Sequence, residues 1–245
     1  MTDTSRNQRV AHELAHGRKI LTHAEAVWNW DSPAGRERAK RRADYLVEVG
    51  RITAADHVLE IGCGTGLFTE KIFEQTHARI TAVDVSPELL KIAQEKIAGV
   101  DFKIEDAMRL SFSDETFDVV CGSSILHHLD IFKSYEEIFR VLKKGGRMVF
   151  AEPNMLNPQI FIQKNVPFIK KMLGDSPDEM AIVRWKAQKQ LIGIGFKNVR
   201  IFPYDFLHPS TPSFLVPFVR FLGGILERLP LVKEIAGSVI IYAEK

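Results

Sequence analysis

The run Val58-Leu59-Glu60-Ile61 passes directly into Gly62-Cys63-Gly64-Thr65-Gly66, and the next apolar run, Ile80-Thr81-Ala82-Val83, ends in Asp84. A short apolar run bounded by turn residues reads as a buried strand. Glycines let the backbone approach a ligand where any Cβ would clash. A strand, a glycine turn, a helix and a second strand ending in a carboxylate build a nucleoside pocket, with the acid placed for a ribose diol.

The glycine spacing separates two nucleoside chemistries. The dinucleotide fingerprint is Gly-x-Gly-x-x-Gly, which aims a helix N-terminus at a pyrophosphate. Here the pattern is Gly62-x-Gly64-x-Gly66, with Glu60 two residues ahead. A carboxylate is a poor neighbour for a pyrophosphate and a good one for an ammonium or sulfonium. An isolated glycine loop can also be no more than a tight strand-to-helix turn, and a nicotinamide oxidoreductase would use the same strand-loop-acid plan. A third reading is a nucleoside-binding partner subunit without catalysis of its own.

Strand patterns at about 57–61, 79–84, 100–104, 118–123 and 147–152 alternate with helical ones. A helix is predicted over 36–49, ending at Gly50. Another starts at Ser86-Pro87, with Ser86 as N-cap and Pro87 at the first helical position. A helix over 132–143 is expected to stop at Gly145-Gly146, and one is expected from Asp178 to Ile192. Lys197–Pro203 and Ser238–Ala243 read as strands six and seven. Such alternation implies a mostly parallel sheet covered on both faces.

The 245 residues fit one large α/β domain. A formal net charge of +2 gives no general attraction to nucleic acid. The basic cluster Arg36 to Arg42 reads as the solvated face of an early helix. Cys63 and Cys121 sit in apolar or glycine-rich runs and suggest a reducing compartment without disulfides. The N-terminus has no apolar signal core and no segment has a membrane-spanning apolar run, so a cytoplasmic protein is expected. No metal-ligand spacing is present: His127 and His128 are adjacent, so their rings should diverge, and no second Cys/His cluster supports them.

Five motifs in order resemble the class I S-adenosylmethionine-dependent methyltransferases, over about residues 40–205. They are Glu60 to Gly66; the strand ending at Asp84; Ile104-Glu105-Asp106-Ala107 with Leu110-Ser111-Phe112; Phe117-Asp118-Val119-Val120 running to Leu126-His127-His128-Leu129; and Leu142 to Val149. The resemblance implies a Rossmann-like, doubly wound sheet of seven strands, six parallel and the last antiparallel beside strand six. It implies S-adenosylmethionine as methyl donor, with no metal. The Gly62, Cys63, Gly64 and Gly66 backbone should line the methionine portion, with Glu60 near its ammonium. Asp84 should accept both ribose hydroxyls and Val85 should lie against the adenine. Asp106 should accept from the adenine amino group, with the Ala107 N–H nearby. Ser123 and Ser124 should lie beneath the methionine chain.

Family members usually join strands six and seven by a short hairpin. Here 204–237 intervenes, apolar and proline-punctuated, and a second insert, 153–177, follows strand five. Both inserts are expected to be helical and to leave from the ligand-binding edge of the sheet. They should therefore roof the active site, with Phe161, Ile162, Phe168, Phe214, Phe218 and Phe221 over the acceptor. Residues 1–50 form an N-terminal arm in which Trp28 and Trp30 can act as a lid. No Asn/Asp-Pro-Pro-Tyr run and no Pro-Cys nucleophile follows strand four. The expected acceptor is thus a small, apolar or lipid-like molecule methylated on oxygen or carbon. Arg220, Arg228 and Lys233 near the apolar insert also permit contact with a membrane surface. His127, His128 and Glu152 are the candidate general bases.

Overall fold

Strands β1 (His57–Ile61), β2 (Arg79–Asp84), β3 (Asp101–Ile104), β4 (Phe117–Ser123), β5 (Leu142–Pro153), β6 (Lys197–Tyr204) and β7 (Ser238–Glu244) form one sheet in the order β3-β2-β1-β4-β5-β7-β6. The computed structural model describes residues 9–12, 14–15, 17–18, 21, 24–172 and 180–245. β7 runs antiparallel between β5 and β6, and the other neighbouring pairs are parallel. The expected sheet is therefore the one found.

The helices are α1 (Pro33–Gly50), α2 (Leu67–Thr76), α3 (Pro87–Lys96), α4 (Ile131–Val141), α5 (Pro158–Asn165), α6 (Pro167–Met172), α7 (Arg184–Ile194) and α8 (Val216–Leu226). Alternate strand residues face opposite layers. Leu59, Val120 and Ile241 pack with Ile138 of α4 and Leu191 of α7. Their neighbours Val58, Val119 and Ile240 pack with Leu46 of α1, Ile72 of α2 and Leu90 of α3. Ser86 caps α3 by accepting from the Leu89 N–H, with Pro87 next, as its sequence predicts.

Four local expectations are corrected. α1 begins at Pro33, capped by the Ser32 hydroxyl, rather than at residue 36. α4 ends at Val141, because Leu142 already pairs with Phe117 in the sheet; Gly145, at φ +75°, lies within the irregular start of β5. α7 begins at Arg184. Positions 178–179 lie outside the described residues, and Ile182 is held extended by its N–H to Pro153 O at 2.9 Å and its O from Met155 N–H at 3.0 Å. The basic cluster is a solvated face only at Arg36 and Lys40. Arg38 pairs with Asp205 and Arg41 with Glu227, while Arg42 is only 3% exposed.

Ile61 of β1 stands opposite both Val83 of β2 and Gly122 of β4. The winding reverses between β1 and β4, so the carboxyl ends of these strands open a crevice there.

Candidate active site

A cavity of about 570 Å³ fills that crevice. Gly62, Cys63 and Gly64 line it from the loop after β1, Asp84 and Val85 from the end of β2, and Asp106 and Ala107 from beyond β3. Ser123, Ser124, His127 and His128 line it from the end of β4. Glu60, Gly66 and Glu152 are the sequence-predicted site residues that do not reach it.

The glycine loop is shaped by its backbone. Gly62, Gly64 and Gly66 have φ of +70°, +52° and +80°, the left-handed region that side chains disfavour. A Cβ on Gly62 would meet the Ile125 side chain at 2.4 Å, and one on Gly64 would meet the Trp28 ring at 3.1 Å. Trp28 thus lies over the loop. Asp84 ties the loop to the next one: its Oδ2 accepts from the Gly64 N–H and its Oδ1 from the Ser86 N–H, both at 2.9 Å. Beyond β3, Asp106 Oδ1 accepts from the Met108 N–H at 2.9 Å.

Glu60 lies beneath the loop, 2% exposed, and its Oε2 has no hydrogen-bond partner among the described residues. Burial, with some help from the Asp84 charge, pushes its carboxyl up to about 7. A carboxyl with a raised folded-state pKa favours folding below its unfolded value and loses that advantage as pH rises through the folded one. Ligand-free protein should therefore become less stable as pH rises from about 4.5 to about 7, with up to about 3 kcal/mol from this group. Glu60→Gln should flatten that slope in thermal melts at a series of pH values; an unaltered slope would refute the assignment.

The cysteines are not nucleophiles here. Cys63 and Cys121 are buried and free, and burial pushes both thiols up, which keeps them protonated.

Beyond β4 stands a hydrogen-bonded dyad. His127 Nδ1 lies 2.7 Å from Glu152 Oε2. Glu152, fully buried on β5, accepts at Oε1 from the Ile125 and Leu126 N–H groups, each at 2.9 Å. Burial opposes the Glu152 charge, but the bonds from His127 and the two amides outweigh it and hold the carboxyl below its ordinary range. Burial, then the neighbouring His128, pushes the His127 imidazole below its ordinary value, against the pull of Glu152. With Glu152 ionised and His127 neutral, Nδ1 carries the proton and Nε2 the lone pair. The His127 and His128 rings do not diverge: their centroids lie 4.2 Å apart in a short 3₁₀ turn.

Sequence reasoning missed Arg42. Its guanidinium crosses from α1 to the cavity, donating from Nη1 to Ser123 Oγ at 3.2 Å and Ser124 Oγ at 2.5 Å, and from Nη2 to Ser238 Oγ at 2.9 Å. It lies 5.1 Å from the Trp30 ring centre. All of these partners are neutral. The sequence marks it only as one member of the basic run Arg36 to Arg42.

The expected aromatic roof is also corrected. Ile160, Gln163 and Lys164 of α5 line the cavity, as do His208, Pro209 and Ser210 of the second insert. Phe161, Ile162, Phe168, Phe214, Phe218 and Phe221 instead face outward and are exposed. On α5, the residues one position either side of Phe161 and Ile162 take the inner face, so this apolar pair takes the outer one.

Residues 59–150 match the methyltransferase domain family. A demethylmenaquinone methyltransferase of Thermobifida fusca is 31% identical over 175 residues, 64% of this chain and 73% of that protein. The O-methyltransferase cnsE of Penicillium expansum is 34% identical over 137 residues, 51% of this chain and 50% of that protein. The chain spans about half to three fifths of the length of several curated relatives it matches. In fold, it is similar to a SAM-dependent methyltransferase of Thermotoga maritima described as a possible histamine N-methyltransferase. The TM-score is 0.63 at 19% identity, over 96% of this chain and 98% of that one. A glycine loop held in left-handed geometry, an acid ending β2 and a roomy crevice between β1 and β4 fit a sulfonium nucleoside, and with these relatives they place the chain in the class I S-adenosylmethionine-dependent methyltransferase family.

Proposed function

We propose that the protein transfers a methyl group from S-adenosylmethionine to an oxygen or acidic carbon of a small apolar acceptor, with His127 as general base. The observation that carries this reading is His127 on the cavity wall beside the glycine loop, backed by the buried Glu152. The names of two relatives, an O-methyltransferase and a demethylmenaquinone methyltransferase, support a small-molecule acceptor.

When bound, the donor supplies an electrophilic methyl on its sulfonium. The Gly62–Gly64 backbone and Ser123 would flank the methionine portion, and Arg42 would take its carboxylate. Asp84 would hold the ribose and Asp106 the adenine edge, with Val85 against the base. Glu60, below the loop, would act on the ammonium through the backbone rather than by direct contact. Trp28 and the N-terminal residues Arg9, Val10 and Gly17, which also line the cavity, would close over the donor and exclude water.

Glu152 fixes the His127 tautomer, leaving Nε2 to accept the acceptor's proton as the acceptor becomes a nucleophile. The resulting imidazolium is held by the Glu152 carboxylate. Proton removal of this kind contributes typically 10²–10⁴-fold, and holding the acceptor in line can supply roughly 7–11 kcal/mol in the best oriented cases.

Two measurements test the reading. S-adenosylhomocysteine should raise the melting temperature while NAD(H) does not. The purified chain alone should then methylate members of a panel of apolar phenols, carboxylic acids and activated-carbon acceptors. Stabilisation by NAD(H) in place of S-adenosylhomocysteine would overturn the donor assignment. Donor binding with no turnover on any acceptor would favour a non-catalytic subunit.

A further inference from the structure

We infer that the outer face of the two inserts is a docking surface for an anionic lipid bilayer, with the mouth of the acceptor cavity at its edge. The inference deepens the proposed activity and rests on it only for the acceptor's route into the site; the docking itself stands on the surface.

The first observation is a helix turned inside out. α8 is apolar along almost its whole length, yet Gly223 is its only buried residue. Phe218, Phe221, Leu222 and Ile225 follow one another at helical spacing, and all are exposed, Phe218 by 62% and Phe221 by 70%. Phe214 before the helix is 79% exposed and Leu231 after it 86%. A stripe of this kind on a water-soluble surface marks an interaction site rather than a packing accident. The first insert repeats the pattern with Phe161, Ile162, Phe168 and Met172.

The second observation is charge. The second insert holds the acids Asp205, Glu227 and Glu234, and each is drawn inward by an arginine of the body: Arg38, Arg41 and Arg184. Arg228 is exposed and Lys233 half-buried, and neither side chain has an ion-pair partner among the described residues. In the first insert Lys170 is half-buried while Lys164 faces the cavity, and no acid lies between Pro153 and Met172; the next acids, Asp175, Asp178 and Glu179, lie outside the described residues. An apolar stripe rimmed by cations suits anionic headgroups over acyl chains. A second copy of this chain would bring the same sign of charge against it.

The third observation is placement. Gln159 Nε2 lies 3.0 Å from His208 Nε2, and Asn157 Nδ2 donates to Ile235 O at 2.9 Å, so the inserts meet over the cavity. The outward Phe161 and Ile162 are on the same helix as the cavity-lining Ile160 and Gln163, and Phe214 follows closely on Ser210. A bilayer on this face would present a lipid-dissolved acceptor to the cavity. Among the described residues no helix is long and apolar enough to cross a membrane, so the contact is made in the interface plane.

The test is co-sedimentation of the whole chain, without donor or acceptor, with vesicles of phosphatidylglycerol and phosphatidylcholine in equal parts or of phosphatidylcholine alone. Binding should favour the anionic vesicles at least tenfold and weaken in 0.5 M salt. Phe218→Ser combined with Phe221→Ser should abolish it. Arg228→Glu with Lys233→Glu should remove only the preference for anionic lipid. All variants should keep the wild-type melting shift with S-adenosylhomocysteine, which shows that they fold and keeps this result separate from the donor assignment. Wild-type protein that stays in the supernatant with both vesicles overturns the inference. So does a dimer in sedimentation velocity that Phe218→Ser dissociates, since a second copy would then cover the face.

Discussion

Arg42→Met is expected to weaken S-adenosylhomocysteine binding by roughly 10–100-fold, the range of about 1.5–3 kcal/mol for a hydrogen bond to a charged group, while leaving the melting temperature of the free protein level or higher. The guanidinium is 3% exposed, and its hydrogen-bond partners are three serine hydroxyls. A buried charge with only neutral company is costly. Among the described residues Arg42 has no acidic partner, and in the proposed reading the donor's carboxylate supplies one. Methionine removes the desolvation cost of the guanidinium, and the three serine hydroxyls it leaves all line the cavity, where water can satisfy them, so affinity should fall with little change in stability. Arg42→Lys should fall between, because an ammonium lacks the planar fork that reaches several oxygens at once. Calorimetric titration with an unchanged Kd for Arg42→Met would show that the carboxylate binds elsewhere.

His127→Ala should lower kcat by about 10²–10⁴-fold with donor affinity unchanged. Glu152→Gln should also lower kcat with little effect on acceptor KM, since it removes the charge that holds the imidazole tautomer. The pH dependence carries the sign. In the proposed mechanism neutral His127 is the active form, and burial holds its pKa below the ordinary histidine value. The rate should therefore be level through neutrality and fall as pH drops through that lowered pKa. His127→Ala should erase this acidic limb in whatever activity remains. A wild-type rate that falls with rising pH near neutrality, or an unaltered limb in His127→Ala, would leave positioning alone as the source of catalysis.

What could be read from the chain itself is what neighbours in sequence determine. Strand boundaries at His57–Ile61 and Arg79–Asp84 follow from apolar runs ending in turn residues. The Gly62–Gly66 loop and the Ser86-Pro87 helix start follow from backbone sterics and a single side-chain cap. Because parallel strands bring their carboxyl ends to one edge, these local signals also place Asp84 at a crevice; the resemblance to the methyltransferase family puts Asp106, Ser123 and His127 there too, and all four line it.

Partners far apart in sequence were decided only by the tertiary structure. Arg42 meets Ser123 across 81 positions and Ser238 across 196, because β7 is inserted beside β5 and brings its first residue under α1. Arg38 and Arg41 meet Asp205 and Glu227 across 167 and 186 positions, which turned an apparently solvated cluster into a seam between α1 and the second insert. Glu152 found His127 because parallel β4 and β5 end together, and that pairing is what the proposed roles of base and anchor rest on. The inserts' phenylalanines show the limit most plainly. Apolar composition says that a side chain gains by leaving water, but not which neighbour will cover it. The inner face of α5 was already taken by Ile160, Gln163 and Lys164, and geometry sent the aromatic residues the other way.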